Sequence, residues 1–256
     1  MKLKNRTALV TGASRGIGRA IAEAFAREGA NLILVARDTK DLGEVKAACE
    51  AAGAKVTSVI ADLGQRGEVE AVFRAIPPAG VDILVNNAGI GSSANPKPVA
   101  TFDDAFWEQT LYLNLTVPYL LSKRVLPGMI AAKRGRIINV ASIAGKIGSI
   151  HGSAYSASKH GLLGLTRTLA QEVVKDGITV NAICPGVVAS RMNDKRVAYD
   201  AQRLSKTVKE VEAASTPLGR RLTPDEVSPL AVFLASDDAR AITGQPYNVD
   251  AGTIMH

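Results

Sequence analysis

Thr7-Ala8-Leu9-Val10-Thr11-Gly12-Ala13-Ser14-Arg15-Gly16-Ile17-Gly18 is an apolar run, then a glycine-rich loop, then the start of a helical pattern. From Gly18 to Glu28, Ile21, Ala22, Phe25 and Ala26 share one helix face. Glycines let the backbone turn tightly and approach a pyrophosphate without Cβ clashes, and the helix N-terminus behind them offers free N–H groups to the anion. The spacing is GxxxGxG, not the commoner GxGxxG. The strand before it and the helix after it are what make the loop a dinucleotide signal.

Outward from this loop the pattern repeats. Asn31 to Ala36, Lys55 to Ala61 and Val81 to Asn86 read as strands, with Asp41 to Ala52 and Glu68 to Ile76 as helices between them. Asp103 to Ala132 reads as a long helix that Pro118 should bend or break. Strand Arg136 to Ala141, helix Ala154 to Lys175, strand Ile178 to Cys184, helix Pro224 to Ala235 and a short strand Tyr247 to Val249 complete the chain. Continuous apolar strands alternating with helices predict an α/β fold: a single-domain, Rossmann-type, doubly wound parallel sheet with helices on both faces, spanning residues 1–256. Ser190 to Leu222 is too long for an ordinary connection and reads as a substrate lid inserted at 190–222.

Composition narrows the function. The chain has 256 residues, 46% hydrophobic and 21% charged, which excludes a disordered segment. Two distant cysteines and three histidines make a structural zinc site a poor reading, so no metal is expected. The longest charge-free runs, such as Ile83 to Pro96, have 14 residues and are too short to span a membrane. A cytoplasmic protein with no membrane partner is the expectation. The net charge of +7 comes without a helix-turn-helix, an RNA-binding aromatic motif or a basic tail, so nucleic acid is not the expected partner.

Cofactor choice should show at the end of the second strand, where an acidic residue would bind a ribose 2′-OH and repel a 2′-phosphate. Here Ala36 is neutral, and Arg37 can fork onto a phosphate with Arg15 approaching from the glycine loop. NADP(H) is predicted over NAD(H), although an inward Asp38 would reverse the preference. Tyr155 and Lys159 are four apart on a helical segment and share a face. An ammonium beside a phenol favours the phenolate, which lets the tyrosine exchange a proton with a carbonyl or alcohol. Ser142 follows a strand whose end should face the ligand crevice, where its hydroxyl can hold the substrate oxygen.

Taken together, TGASRGIG at Thr11 to Gly18, Asp62, NNAG at Asn86 to Gly89, Asn114, Ser142, Tyr155-Ser156-Ala157-Ser158-Lys159 and Pro185-Gly186 resemble the short-chain dehydrogenase/reductase family over essentially the whole chain. The resemblance implies that Tyr155 is the general acid in reduction and base in oxidation, and that Lys159 lowers its pKa and binds the nicotinamide ribose. Ser142 would polarise the carbonyl, and Asn114 would hold a water for proton relay. It further implies that Gly12, Ser14, Arg15, Gly16, Ile17 and Gly18 hold the pyrophosphate side of the cofactor. Asp62 and Leu63 would border the adenine, and Asn87, Ala88 and Gly89 the adenosine ribose. Pro185, Gly186 and Val188 would flank the nicotinamide, with Ser190 where the family often has Thr. A homotetramer is also implied.

The run His151 to His160 resembles ketoreductases of aromatic polyketide synthesis as much as fatty-acid ones. Ile143, Ile147, His151, Val187 and Met192 are candidate substrate contacts. Arg191 to Arg221 holds eight basic and four acidic residues, so four of the seven net positive charges lie in the lid. Such a surface can attract an acidic carrier. The best reading is an NADP(H)-linked reductase of a small-molecule or carrier-bound carbonyl, a 3-oxoacyl thioester or polyketide, with acyl carrier protein a possible partner. The alternatives are an enzyme of small or cyclic ketones and alcohols, and, more remotely, a catalytically silent dinucleotide-binding regulator.

Overall fold

The computed structural model describes residues 1–77 and 80–255. Its strands are β1 (Thr7–Thr11), β2 (Asn31–Ala36), β3 (Val56–Ile60), β4 (Ile83–Asn86), β5 (Gly135–Val140), β6 (Ile178–Pro185) and β7 (Pro246–Val249). They form one parallel sheet in the order β3-β2-β1-β4-β5-β6-β7. Helices α1 (Gly16–Arg27), α2 (Thr39–Ala51) and α9 (Pro224–Ala235) pack on one face. Helices α3 (Val69–Ala75), α5 (Val117–Ala131) and α6 (Ser153–Val173) pack on the other.

Burial on both faces explains the unbroken apolar strands. On β1, Ala8 and Val10 point into the core with Ile21 and Phe25, while Leu9 joins Ile33, Leu121 and Ile137 on the opposite side. Chain order reverses at β1, which pairs with β2 on one edge and β4 on the other. Sheets of this kind open a ligand crevice at the carboxyl ends of the strands where the order reverses.

Two segments differ from the sequence reading. The long helix divides into α4 (Asp104–Leu111), a π-helical turn (Tyr112–Thr116) and α5. The irregularity precedes Pro118, which sits in the first turn of α5, where an amide N–H is not missed. The lid is mostly helical: α7 (Arg191–Leu204) and α8 (Val208–Ala213). Ser190 caps α7 by accepting from the Asn193 amide at 3.3 Å, and Thr207 with Glu210 forms a capping box on α8. A bridge between Val188 and Leu222 closes the base of the lid. Among the described residues, no helix is long and apolar enough to cross a membrane.

Candidate active site

The crevice is built from two loops tied together. Thr11, the last residue of β1, accepts on its hydroxyl from the Asn87 and Ala88 amides at 2.9 and 3.1 Å and donates to the Val85 carbonyl at 3.2 Å. Asn87 Nδ2 donates back to the Thr11 and Gly12 carbonyls at 2.9 and 3.1 Å. Gly12 and Gly16 have φ of 64° and 56°, the left-handed region where glycine is unstrained. A Cβ on Gly12 would stand 2.9 Å from Asn87 Nδ2, and one on Gly18 would overlap the Gly12 carbonyl. Thr11 was not among the sequence candidates; its role as a clasp shows only when β1 and β4 are side by side.

The other cofactor candidates collect around this cradle. Arg15 occupies the N-cap of α1 without capping it by its side chain, leaving the first-turn N–H groups without a side-chain acceptor. Ser190 lies across the loop, its Cβ 3.8 Å from where a Gly16 Cβ would be. The Ala13 amide donates to the Val35 carbonyl at 3.1 Å, so Arg15 and Arg37 each lie two residues beyond one tie point. Arg37 is 66% exposed, with Nη1 3.6 Å from Asp62 Oδ2. Asp38 is occupied elsewhere: its carboxylate caps α2 by accepting from the Asp41 amide at 2.9 Å. Leu63 is buried, and Asp62 also accepts from the Gly64 amide at 3.0 Å. At the end of β6 the Gly186 amide donates to the Val249 carbonyl at 2.9 Å, and the Val188 carbonyl accepts from Asn193 Nδ2 at 2.7 Å. A glycine cradle that a Cβ would fill, an open helix N-terminus and an exposed arginine at the end of β2 fit a nicotinamide dinucleotide.

Tyr155 and Lys159 stand on α6, which is fastened to the sheet by a buried polar chain. Asn86 Nδ2 donates to Asn139 Oδ1 and Asn139 Nδ2 to Thr166 Oγ, each at 2.8 Å. Asn114 ties in a third element. Its Oδ1 accepts from the Ile90 amide at 2.8 Å, and its Nδ2 donates to the Ile90 carbonyl at 2.9 Å and Ser158 Oγ at 3.1 Å. The Asn114 side chain is thus engaged by protein. Pro118 returns no N–H to its main-chain carbonyl.

Lys159 is buried, with Nζ donating to the Val140 carbonyl at 2.8 Å and lying 5.7 Å from the Tyr155 ring centre. Ser142 accepts from the Ala144 amide at 3.1 Å and is hydrogen-bonded to the Tyr155 hydroxyl. Burial pushes the Tyr155 phenol above its ordinary value; the Ser142 hydrogen bond opposes the rise, and Cys184 adds to it. Burial also lowers the Lys159 ammonium from 10.5 to about 8, with Cys184 opposing. The sequence reading has the ammonium lowering the phenol. Here Lys159 is not among the groups that shift the phenol, and burial, the largest cause for both residues, moves both toward neutrality.

Ser142 and Tyr155 open onto a cavity of about 360 Å³, walled on its apolar side by Ile143, Ile147, Val187 and Met192. These four substrate candidates are brought together as the sequence reading has them. His151 is not: it lies outside the lining, its Nδ1 2.5 Å from the Tyr199 hydroxyl on α7. The lining adds Arg196, Asp200 and Arg203 of α7, which sequence reasoning treated only as lid charge. The Arg196–Asp200 spacing of four was their visible signal. The lid's charge is also less available than its composition suggests. Arg191, Arg196, Arg203, Arg220 and Arg221 all form ion pairs, two of them with Asp41 and Glu226 from outside the lid.

Residues 6–201 match the model of the short chain dehydrogenase family. The chain belongs to that family. It is 39% identical over 258 residues to a D-β-hydroxybutyrate dehydrogenase of Cupriavidus necator, covering 98% of this chain and 99% of the relative. It is 38% identical over 257 residues to the 3-oxoacyl-(acyl-carrier-protein) reductase FabG of Vibrio cholerae, covering 100% of both. The solved structure of an actinorhodin polyketide ketoreductase variant with NADPH superposes with a TM-score of 0.90 at 35% identity, over 96% of each chain. Relatives of comparable identity also include a galactitol 2-dehydrogenase. The protein is an oxidoreductase of this family, and the relatives differ in substrate.

Proposed function

We propose that the protein interconverts a 3-oxoacyl compound and the corresponding secondary alcohol with NADP(H). The observation that carries this is Ser142 and Tyr155 opening together onto one cavity, with Lys159 buried beneath. Tyr155 gives the carbonyl oxygen a proton in reduction and takes one back in oxidation, and Ser142 orients that oxygen. Lys159, poised near neutral pH, steadies the phenolate side of that exchange, and Asn114 fixes α6 against the β4 loop. The glycine loop, Asp62, Asn87 and the Pro185–Ser190 segment would hold the dinucleotide, which when bound supplies or takes the hydride. Asp38 is committed to capping α2 and Arg37 is exposed, which favours a 2′-phosphate; the related ketoreductase with NADPH supports the same choice.

A second reading, a small polyhydroxy or cyclic alcohol, is favoured by the hydroxyls of Ser92, Ser93 and Ser149 in the same lining. The proposal includes a cytoplasmic homotetramer, for which the exposed Tyr119 and Ile130 on α5 supply an apolar pairing face. The test is consumption of NADPH with an acetoacetyl thioester, NADH being run beside it. Turnover with NADPH is expected, and Tyr155→Phe should lower kcat about a thousandfold while leaving NADPH affinity unchanged. Failure on every ketone by protein that still binds NADPH would leave the regulator reading standing.

A further inference from the structure

Helix α7 puts a charged triad into the wall of the reaction cavity. Arg196, Asp200 and Arg203 line it together with Ser142 and Tyr155. Arg196 and Asp200 are largely withdrawn from solvent, their side chains 17% and 18% exposed, while Arg203 is the exposed member of the three. Asp200 is saturated by the two arginines. Its Oδ2 accepts from Arg196 Nε at 2.7 Å, and its Oδ1 accepts from Arg196 Nη2, Arg203 Nε and Arg203 Nη2, each at 3.1 Å. Arg196 is fixed further: Nη1 donates to the Ile150 carbonyl at 3.1 Å and Ser92 Oγ at 3.5 Å. Arg203 Nη1 has no protein acceptor among the described residues.

Two guanidiniums on one carboxylate leave one positive charge over, in a cavity whose lining holds no other charged residue among the described residues. Arg203 shares its counter-ion with Arg196, and a planar guanidinium is shaped to take a carboxylate on two N–H groups. We infer that Arg203, braced by Asp200, seats a free carboxylate of the substrate, so that the substrate is a short 3-oxo or 3-hydroxy acid. The inference rests on the reaction proposed above and names its substrate class. A cavity of about 360 Å³ has room for such an acid. The phosphate of a thioester's carrier arm is the other source of the same negative charge.

The experiment compares Arg203→Met and Arg203→Lys with the wild type on acetoacetate, its neutral methyl ester and acetoacetyl-coenzyme A. In parallel, 3-hydroxybutyrate is titrated into NADPH-loaded protein and followed by cofactor fluorescence. For Arg203→Met, the KM for acetoacetate and the Kd for 3-hydroxybutyrate should rise about tenfold or more, the effect of a lost charge-assisted hydrogen bond. The KM for the ester and kcat should stay put, and Arg203→Lys should recover part of the loss. Equal losses on acid and ester would make the triad a brace for α7 and overturn the seat. A loss confined to the coenzyme A thioester would assign the charge to a phosphate and overturn it too. Wild-type turnover of the ester with no Arg203 effect on the acid removes the seat and leaves the reaction standing. No wild-type turnover of any of the three removes the reaction; the seat is then decided by the titration, where an unchanged Kd in Arg203→Met overturns it.

Discussion

Arg136 and Lys159 are both buried cations, 4% and 5% exposed, at opposite ends of β5. At the amino end, Arg136 is surrounded by acceptors. It donates to the Gly135, Gly177 and Ser236 carbonyls at 2.9, 3.3 and 3.3 Å and to Asp237 at 3.1 Å. At the carboxyl end, Lys159 has one carbonyl at 2.8 Å and no carboxylate among the described residues. Burial lowers both groups; Asp237 opposes it for Arg136, whereas Cys184 is the group that opposes it for Lys159. The fold completes the first cation and leaves the second with N–H groups to spare, at the end of the sheet where ligands bind.

Lys159→Met tests that distinction with the largest expected effect. Turnover should fall by about a hundredfold or more, within the range for groups that assist proton transfer. Thermal stability should rise, because the variant removes a buried and under-partnered charge. The pH dependence fixes the sign. The folded pKa of about 8 lies below the ordinary 10.5, so between these values the unfolded chain binds more protons and stability rises with pH. The wild type's deficit relative to Lys159→Met should therefore be full below pH 8 and shrink toward pH 10.5. A melting temperature that drops at pH 7 would erase the contrast between the two cations.

Arg136→Met should do the reverse. It takes a charged donor away from the Gly135, Gly177 and Ser236 carbonyls and an arginine partner away from the Asp237 carboxylate, which keeps Arg6. A loss of about 2 kcal/mol is expected from the charged hydrogen bonds, or about 4–8 °C in a chain of this size. Turnover per folded molecule should be unchanged. Loss of activity without loss of stability would mean that the amino end of β5 also serves the chemistry.

How much of this was legible follows the same axis. The glycine loop, Tyr155 and Lys159 are local patterns: a strand–glycine–helix junction and a spacing of four, each set by backbone geometry over a few residues. Ile143, Ile147, Val187 and Met192 could be placed because they follow the strand ends and flank Ser142 and Tyr155. The Thr11–Asn87 and Asn86–Asn139 pairs are not legible in the sequence, because each gains its meaning from a partner chosen in three dimensions, whereas the local Arg196–Asp200–Arg203 spacing shows in the sequence but its place in the cavity wall does not. The helix α7 was missed for a related reason. Its buried stripe is short, Val197 and Ala201, and the rest of its surface is charged, so a functional loop was the easier reading.

His151 is the misplaced candidate, and it yields the smallest expected effect. It sits at φ 55°, unusual for a side chain with a Cβ, with its imidazole against Tyr199 at 2.5 Å and the ring centres 6.1 Å apart. That contact joins the turn before α6 to the lid helix, and so joins the end of the sheet that holds Lys159 to the wall that carries Arg203. Tyr199→Phe keeps the ring and removes the hydrogen bond. A change of about threefold in KM is expected, the size of one neutral hydrogen bond, with kcat and the melting temperature close to wild type. A fall in kcat approaching that of Lys159→Met would mean that the lid contact sets the position of Tyr155. The readiness of the Lys159 end would then come from α7 as much as from β5.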